Sequence, residues 1–414
     1  MSGPSAWSEW VEASCRTVEA ANQWRRPRTF DARGPAGRLG DLAAGGNDPG
    51  GEIVSFASND YLGLSCHPAV VAAAHSALDR WGAGSGASRL VTGSRPIHAE
   101  LEETLAAWKG CERAIVFPTG FAANLSVLSV FAANGASVFS DELNHASIID
   151  GCRAARAEVA VYRHNDLDHL EQLVAAGTGR PIIVSDTVFS MDGDAADLVG
   201  LLEVSRRFGA LLVLDEAHAV LGPELPAGGA PGELGVDVLR VGTLSKTLGS
   251  LGGFVVGPAR FVELLVNRAR PYIFTTAPSP ADAAAALAAV GIVRSPEGEA
   301  LCRRLTDLVT RVSDAVGAVR AQAGPRSPIV PVIIGDEARA VAASDHLLAH
   351  GLWVPAIRPP TVRPGTSRLR VTLSSIHTDE QVDRLVAELA ALDADEEHGG
   401  SGADRNVIGS AVAS

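Results

Sequence analysis

The chain has 414 residues, 46% hydrophobic and 20% charged, enough apolar side chain to bury a substantial core in two or three domains. A net charge of −13 argues against a sequence-independent nucleic-acid binder, which needs a basic face, and no run of roughly 18 to 20 uncharged apolar residues offers a membrane span. The five cysteines form no CxxC pair or metal-like cluster, so no metal site is expected and they read as reduced thiols of a cytoplasmic protein.

An amphipathic stretch from Trp7 to Trp24 predicts a helix, and the Gly/Pro-rich segment from Gly34 to Gly51 predicts a loop, so residues 1–52 read as an N-terminal segment. From Ile53 the pattern changes. The runs RAIVF (113–117), ASVFS (136–140), VAVY (159–162), PIIVS (181–185), ALLVLD (210–215) and GGFVVG (252–257) alternate with Ala-rich, helix-forming stretches. Strands apolar on both faces and separated by helices indicate an α/β fold, a mostly parallel sheet covered by helices, in a large domain over residues 53–290. Helices near 281–293 and 297–320 lead away from it. PIVPVIIG, a helix around Ala340, WVPAI, RLRVTLS and DEQVDRLVAELAAL then predict a small C-terminal α/β domain over 291–392. Residues 393–414 are polar and Gly/Ser-rich and read as a disordered tail.

Lys and Arg total 35, yet only Lys109 and Lys246 are lysines. Codon bias toward arginine explains the scarcity, but any chemistry that needs a lysine has two candidates. Lys109, in WKG at a predicted helix end, reads as solvated surface. Three strings point elsewhere and fail. GAGSGAS (82–88) has the glycines of a dinucleotide loop but follows a helix rather than a strand. GTLSKT (242–247) lacks the glycine that a phosphate-binding P-loop places before its lysine, carrying Ser245 instead, and without that loop DEAH (215–218) is not a helicase box.

Together these pieces suggest another site. Asp215 ends an apolar strand, His218 follows three residues later, and Lys246 follows the apolar run VDVLRVGT, so all three sit at carboxyl ends of strands, where such sheets bind ligands. An acid, a histidine and a lysine there are what pyridoxal phosphate needs: a primary amine for a Schiff base and an anion that keeps the ring nitrogen protonated. Taken singly, each residue would be a helix cap, a core histidine or a solvated lysine.

From about Asn22 to Leu392 the chain resembles the α-oxoamine synthases, a family of fold-type I pyridoxal-phosphate enzymes. The resemblance rests on SNDYLGLS (58–65), GSGASRLVTG (84–93), HAELEETLAAW (98–108), GFAANLSVL (120–128), NHASIIDG (144–151), VFSMDGDAADL (188–198), VLDEAH (213–218), TLSKTLG (243–249) and IRPPTVRPGTSRLRVTL (357–373). It implies that Lys246 carries the cofactor, Asp215 pairs with the ring nitrogen, and His218 and Ser190 bond the phenolic oxygen. His145 would lie flat on the ring within reach of the substrate carboxylate. Amides of Gly120 and Phe121 at a helix N-terminus, with the Thr243 hydroxyl, would hold the phosphate. Thr276 in YIFTTAPSP matches a phosphate contact that the family donates from the neighbouring subunit, implying a homodimer with shared active sites. Arg370 would bind the amino-acid carboxylate, and Asn59 and Arg25 would lie near the substrates, with Arg26 and Arg28 as rival registers for the last.

The last of those strings resembles most closely the branch that joins L-alanine to a pimeloyl thioester, on coenzyme A or a carrier protein, in biotin formation. The implied reaction is a decarboxylative condensation: the Cα–H of alanine is removed by Lys246, the carbanion attacks the thioester, and carbon dioxide and free thiol leave. Two departures loosen the acyl assignment. After DEAH the chain reads AVLGPELPAGGAPGELG rather than a GTGxxG-like stretch, and Arg363 stands where proline is usual. Another acyl donor, or glycine or serine as amino acid, is the alternative. A binding or regulatory protein of the same fold would not need Lys246, Asp215 and His145 together.

Overall fold

The computed structural model describes residues 5–20, 23–25, 27–41, 51–225, 235–316 and 327–399. In chain order its strands are β1 (Arg28–Ala32), β2 (Ala36–Asp41), β3 (Ile53–Ser55), β4 (Arg113–Phe117), β5 (Ala136–Asp141), β6 (Glu158–Tyr162) and β7 (Arg180–Asp186). There follow β8 (Leu211–Asp215), β9 (Val238–Thr243), β10 (Gly253–Gly257), β11 (Ile329–Gly335), β12 (Leu352–Trp353), β13 (Ala356–Ile357) and β14 (Ser367–Thr372). Among the described residues they form sheets ordered β1-β2-β3-β12, β4-β10-β9-β8-β7-β5-β6 and β11-β14-β13.

The chain divides into two compact units, residues 1–56 with 333–370 and residues 57–332 with 371–414. This division differs from boundaries at 52 and 290. The helix Pro296–Val316 packs on the helices Pro280–Val293 and Asp379–Gly399, so all three belong to the large unit. The last helix also runs past Asp393, where the tail was expected to begin, as far as Gly399. Residues 400–414 of that expected tail, and 317–320 of the predicted 297–320 helix, lie outside the described residues.

In the first unit, part of the segment expected as a loop is a strand. The chain turns at Gly34, whose φ of 96° suits glycine, and β2 returns antiparallel along β1. Glycine composition hid this strand, yet it has a packing reason: a Cβ at Gly37 would fall 2.4 Å from Ala32 Cβ and Asp31 O. β12 then pairs in parallel with β3, Leu352 opposite Val54.

The seven-stranded sheet is the core of the second unit. Among the described residues β6, β5, β7, β8 and β9 are parallel neighbours, and β10 runs antiparallel to β9 and β4. Alternation along each strand feeds two cores, one per face. Ile182, Val184 and Val213 pack with Val127, Ile148 and Leu265 from the helices Gly120–Phe131, Ala146–Ala155 and Ala259–Arg268. Ile183, Leu212 and Leu214 pack instead with Leu170, Leu201 and Leu202 from the helices Leu167–Ala176 and Leu198–Phe208. Both faces being covered explains why these strands read as continuous apolar runs.

Candidate active site

β7, β8 and β9 end side by side, with Asp186 opposite Asp215 and Asp215 opposite Val241, so their exits share one edge of the sheet. A cavity of about 190 Å³ lies there. Lys246, His145, Asp215, His218, Gly120, Phe121 and Thr243 all line it. The Lys246 amine is 2.7 Å from His218 Nε2, and His218 Nδ1 is 2.6 Å from the Tyr61 hydroxyl, which donates to Asn59 Oδ1 at 3.0 Å. Asn59 is thus joined to the lysine through two side chains.

Asp215 is buried and its two oxygens have different partners: Oδ1 accepts from the Ala217 amide at 2.9 Å and Oδ2 from Asn124 Nδ2 at 2.6 Å. Beside it Asp186 is also buried, and among the described residues its Oδ1 has no hydrogen-bond partner. Burial, then the neighbouring Asp215 charge, push the Asp186 carboxyl well above the ordinary aspartate value. His145 caps the helix Ala146–Ala155, its Nδ1 accepting from the Ser147 amide. Burial lowers its pKa, with Lys246 adding to the effect and Asp215 opposing it.

The helix Gly120–Phe131 points its N-terminus into the same cavity. Thr119 caps it, its hydroxyl accepting from the Ala122 amide at 3.0 Å and its carbonyl from Ala123 at 3.1 Å. The amides of Gly120 and Phe121 are left without a partner among the described residues, as an anion site requires. Gly253 lets this turn lie against the sheet, since a Cβ there would fall 2.4 Å from Thr119 O. An amine, a buried carboxylate, an imidazole and two open amides with a threonine hydroxyl form a donor set that fits a phosphorylated pyridine aldehyde.

None of the other predicted residues is among those that line this cavity. Ser190 is half-buried in the turn after β7 and is not among the cavity's lining residues. That turn is pinned by His164, which lies 2.6 Å from Asp194 and 3.0 Å from Asp141 and packs edge-on against Phe189. Burial opposes a charge on His164, but the two carboxylates outweigh it and raise its pKa to about 10. Thr276 is exposed and bridges to Ser88. Arg370, buried in β14, and Arg25, exposed before β1, belong to the other unit. Arg28 begins β1, and Arg26 lies outside the described residues.

Lys109 corrects the reading of a solvated lysine. Its amine lies 2.8 Å from Glu216 Oε2, while Arg240 Nε donates to Glu216 Oε1 at 2.5 Å. The Lys109 side chain is 16% exposed and that of Glu216 6%. Burial pushes the Glu216 carboxyl up, and the two cations more than reverse this, holding it below the ordinary glutamate value. The pair anchors the residue between Asp215 and the turn that carries His218. Tyr61, Asn124, Ser147 and Glu216 lie inside recognised strings that gave them no role, and Asp186 falls between PIIVS (181–185) and VFSMDGDAADL (188–198). The available signal was polarity: Asn124 interrupts an apolar helix, and Asp186 ends an apolar strand as Asp215 does.

The fold and site define a fold-type I enzyme of the pyridoxal-phosphate class. The chain belongs to the aminotransferase class I and II family, whose model matches residues 51–389. Within that family its relatives are α-oxoamine synthases. It is 47% identical over 349 residues to the 8-amino-7-oxononanoate synthase of Geobacter sulfurreducens, covering 83% of this chain and 89% of the relative. It is 46% identical over 396 residues to that of Anaeromyxobacter dehalogenans, covering 93% and 95%. Among solved structures, a Sphingomonas wittichii serine palmitoyltransferase is 29% identical with a TM-score of 0.83, covering 95% of this chain and 100% of that one.

Proposed function

We propose that this chain is a pyridoxal-phosphate-dependent acyltransferase that condenses L-alanine with a pimeloyl thioester. The products are 8-amino-7-oxononanoate, carbon dioxide and free thiol, and the step belongs to biotin biosynthesis. The observation that carries the reading is one cavity holding the Lys246 amine, the buried Asp215 carboxylate, His145 and the open amides of Gly120 and Phe121. The substrate assignment is supported by the name shared by relatives 43–47% identical to this chain.

Pyridoxal phosphate, when bound, supplies a conjugated electron sink next to the substrate Cα. Lys246 would hold it covalently and, once displaced by alanine, serve as the base for the Cα proton. Asp215 would keep the ring nitrogen protonated, while the Gly120 and Phe121 amides and Thr243 would hold the phosphate. His218 and Ser190 would bond the phenolic oxygen. Arg370 would orient the alanine carboxylate so that Cα–H faces the ring, with Asn59 and Arg25 near the substrates. His145 would assist loss of the carboxylate after the thioester has been attacked.

A homodimer with shared active sites is part of this proposal. Leu90, Val91 and Phe274 are exposed apolar side chains, and the amide of Ala277 donates to Ala87 O, so they flank one surface next to Thr276. Among the described residues no helix is long and apolar enough to cross a membrane, and the five cysteines are free, which supports a cytoplasmic enzyme.

Purified protein loaded with pyridoxal phosphate is given L-alanine, glycine or L-serine, each with pimeloyl-CoA, and thiol release and product mass are followed. Alanine should give the fastest turnover and the 8-amino-7-oxononanoate mass. Faster turnover with glycine or serine would refute the amino-acid assignment, and turnover only with another acyl-CoA would refute the acyl assignment.

A further inference from the structure

A buried chain of hydrogen bonds joins Asp215 to His145. Asn124 Nδ2 lies 2.6 Å from Asp215 Oδ2 and 2.9 Å from Ser147 Oγ, and Ser147 Oγ lies 2.8 Å from His145 Nδ1. Asn124 and Ser147 are 2% and 0% exposed, so no bulk water competes for these bonds. The direction of each bond follows from chemistry. A carboxylate only accepts, so Asn124 must turn its NH₂ toward Asp215, and its two N–H bonds go to Asp215 and Ser147. Ser147 Oγ accepts from Asn124 and directs its own proton at His145 Nδ1. The Ser147 amide also donates to that nitrogen, at 3.3 Å. Two donors converge on Nδ1, so it is the lone-pair nitrogen and Nε2 carries the proton.

We propose that Asn124 and Ser147 are positioning residues that fix His145 as the neutral Nε2–H tautomer, aligning its proton through a relay that begins at Asp215. The carboxylate sets the Asn124 amide, the amide sets the Ser147 hydroxyl, and the hydroxyl sets the imidazole. This rests on the reading of His145 as the residue beside the reacting carboxylate, where an Nε2–H donor would be held ready. The other titratable groups facing His145 are Lys246, which disfavours its protonation, and the carboxyl of Asp186, which accepts its backbone amide. Neither touches Nδ1, so the tautomer is set by Ser147.

The test uses the full chain labelled with ¹⁵N-histidine, with and without pyridoxal phosphate. The ring nitrogens of His145 are assigned by comparison with His145→Gln. In the wild type Nδ1 should be unprotonated and Nε2 protonated. Ser147→Ala removes one donor to Nδ1 and should raise the His145 titration midpoint by about 0.5 to 1 pH unit, the worth of one hydrogen bond. Asn124→Ala frees the Ser147 oxygen to accept, so an Nδ1–H population should appear. Ser147→Thr keeps the hydroxyl and should keep the wild-type tautomer. A protonated Nδ1 in the wild type overturns the proposal, as does an unchanged tautomer and midpoint in both alanine variants. If an alanine variant fails to fold, the wild-type tautomer still decides. Because the readout is a nitrogen shift, failure of the relay is distinguishable from failure of the condensation assay.

Discussion

Replacing Lys109 by methionine tests whether the second lysine is structural. Methionine keeps most of the stem volume and removes the charge 2.8 Å from Glu216 Oε2. Removing one partner of a buried ion pair and leaving the other uncompensated costs roughly 3–5 kcal/mol. Glu216 would retain Arg240 at 2.5 Å, and Lys109 is partly solvated, so the expected loss is about 1–3 kcal/mol. Urea unfolding read by fluorescence and circular dichroism measures it as a fall in midpoint at unchanged slope. A cycle with Glu216→Gln should give a coupling of at least about 1 kcal/mol. The Lys109→Met variant should still attach pyridoxal phosphate covalently, because that amine is not Lys246. A loss below about 0.5 kcal/mol, with no coupling to Glu216, would mean that Lys109 is ordinary surface and that the anchor does not exist.

Two further predictions concern pH. His164 is raised from 6.5 to about 10 in the folded protein, so its contribution is complete below pH 6.5 and is lost as pH rises through 10. His164→Asn should flatten the stability profile over that window in urea titrations, and an unaltered slope would show that the Asp141–His164–Asp194 cluster is not charged. Asp186 has the opposite sign: its folded value is raised, so ionisation in the unfolded chain makes stability fall as pH climbs above about 4. Asp186→Asn mimics the protonated acid and should gain on the wild type progressively above that pH, measured on cofactor-free protein; a constant difference between the two would refute a protonated Asp186.

The parts of the fold legible in the sequence were those whose cause is local. Apolar runs such as PIIVS and ALLVLD mark strands covered on both faces, and the strand exits of Asp215 and Lys246 follow from where those runs stop. The β1–β2 hairpin was illegible because the glycines its tight pairing requires are also the composition of a loop. Lys109 was misread because its environment is supplied by Glu216 and Arg240, which are remote in sequence and meet it only through the fold. Ser147 was invisible for a related reason. Its position two residues after His145 resembles any helix start, and only burial against Asn124 makes its hydroxyl directional.

The proposed reaction requires Lys246, and not Lys109, to be the amine that carries the cofactor. With two lysines in the chain the measurement is direct: protein loaded with pyridoxal phosphate is reduced with borohydride, digested, and the modified peptide identified by mass spectrometry. The pyridoxyl mass is expected on Lys246, with no modification of Lys109, and Lys246→Ala should lose the adduct with a ~10²-fold to 10⁴-fold fall in turnover. Modification of Lys109, or no stable adduct on either lysine, would contradict this assignment.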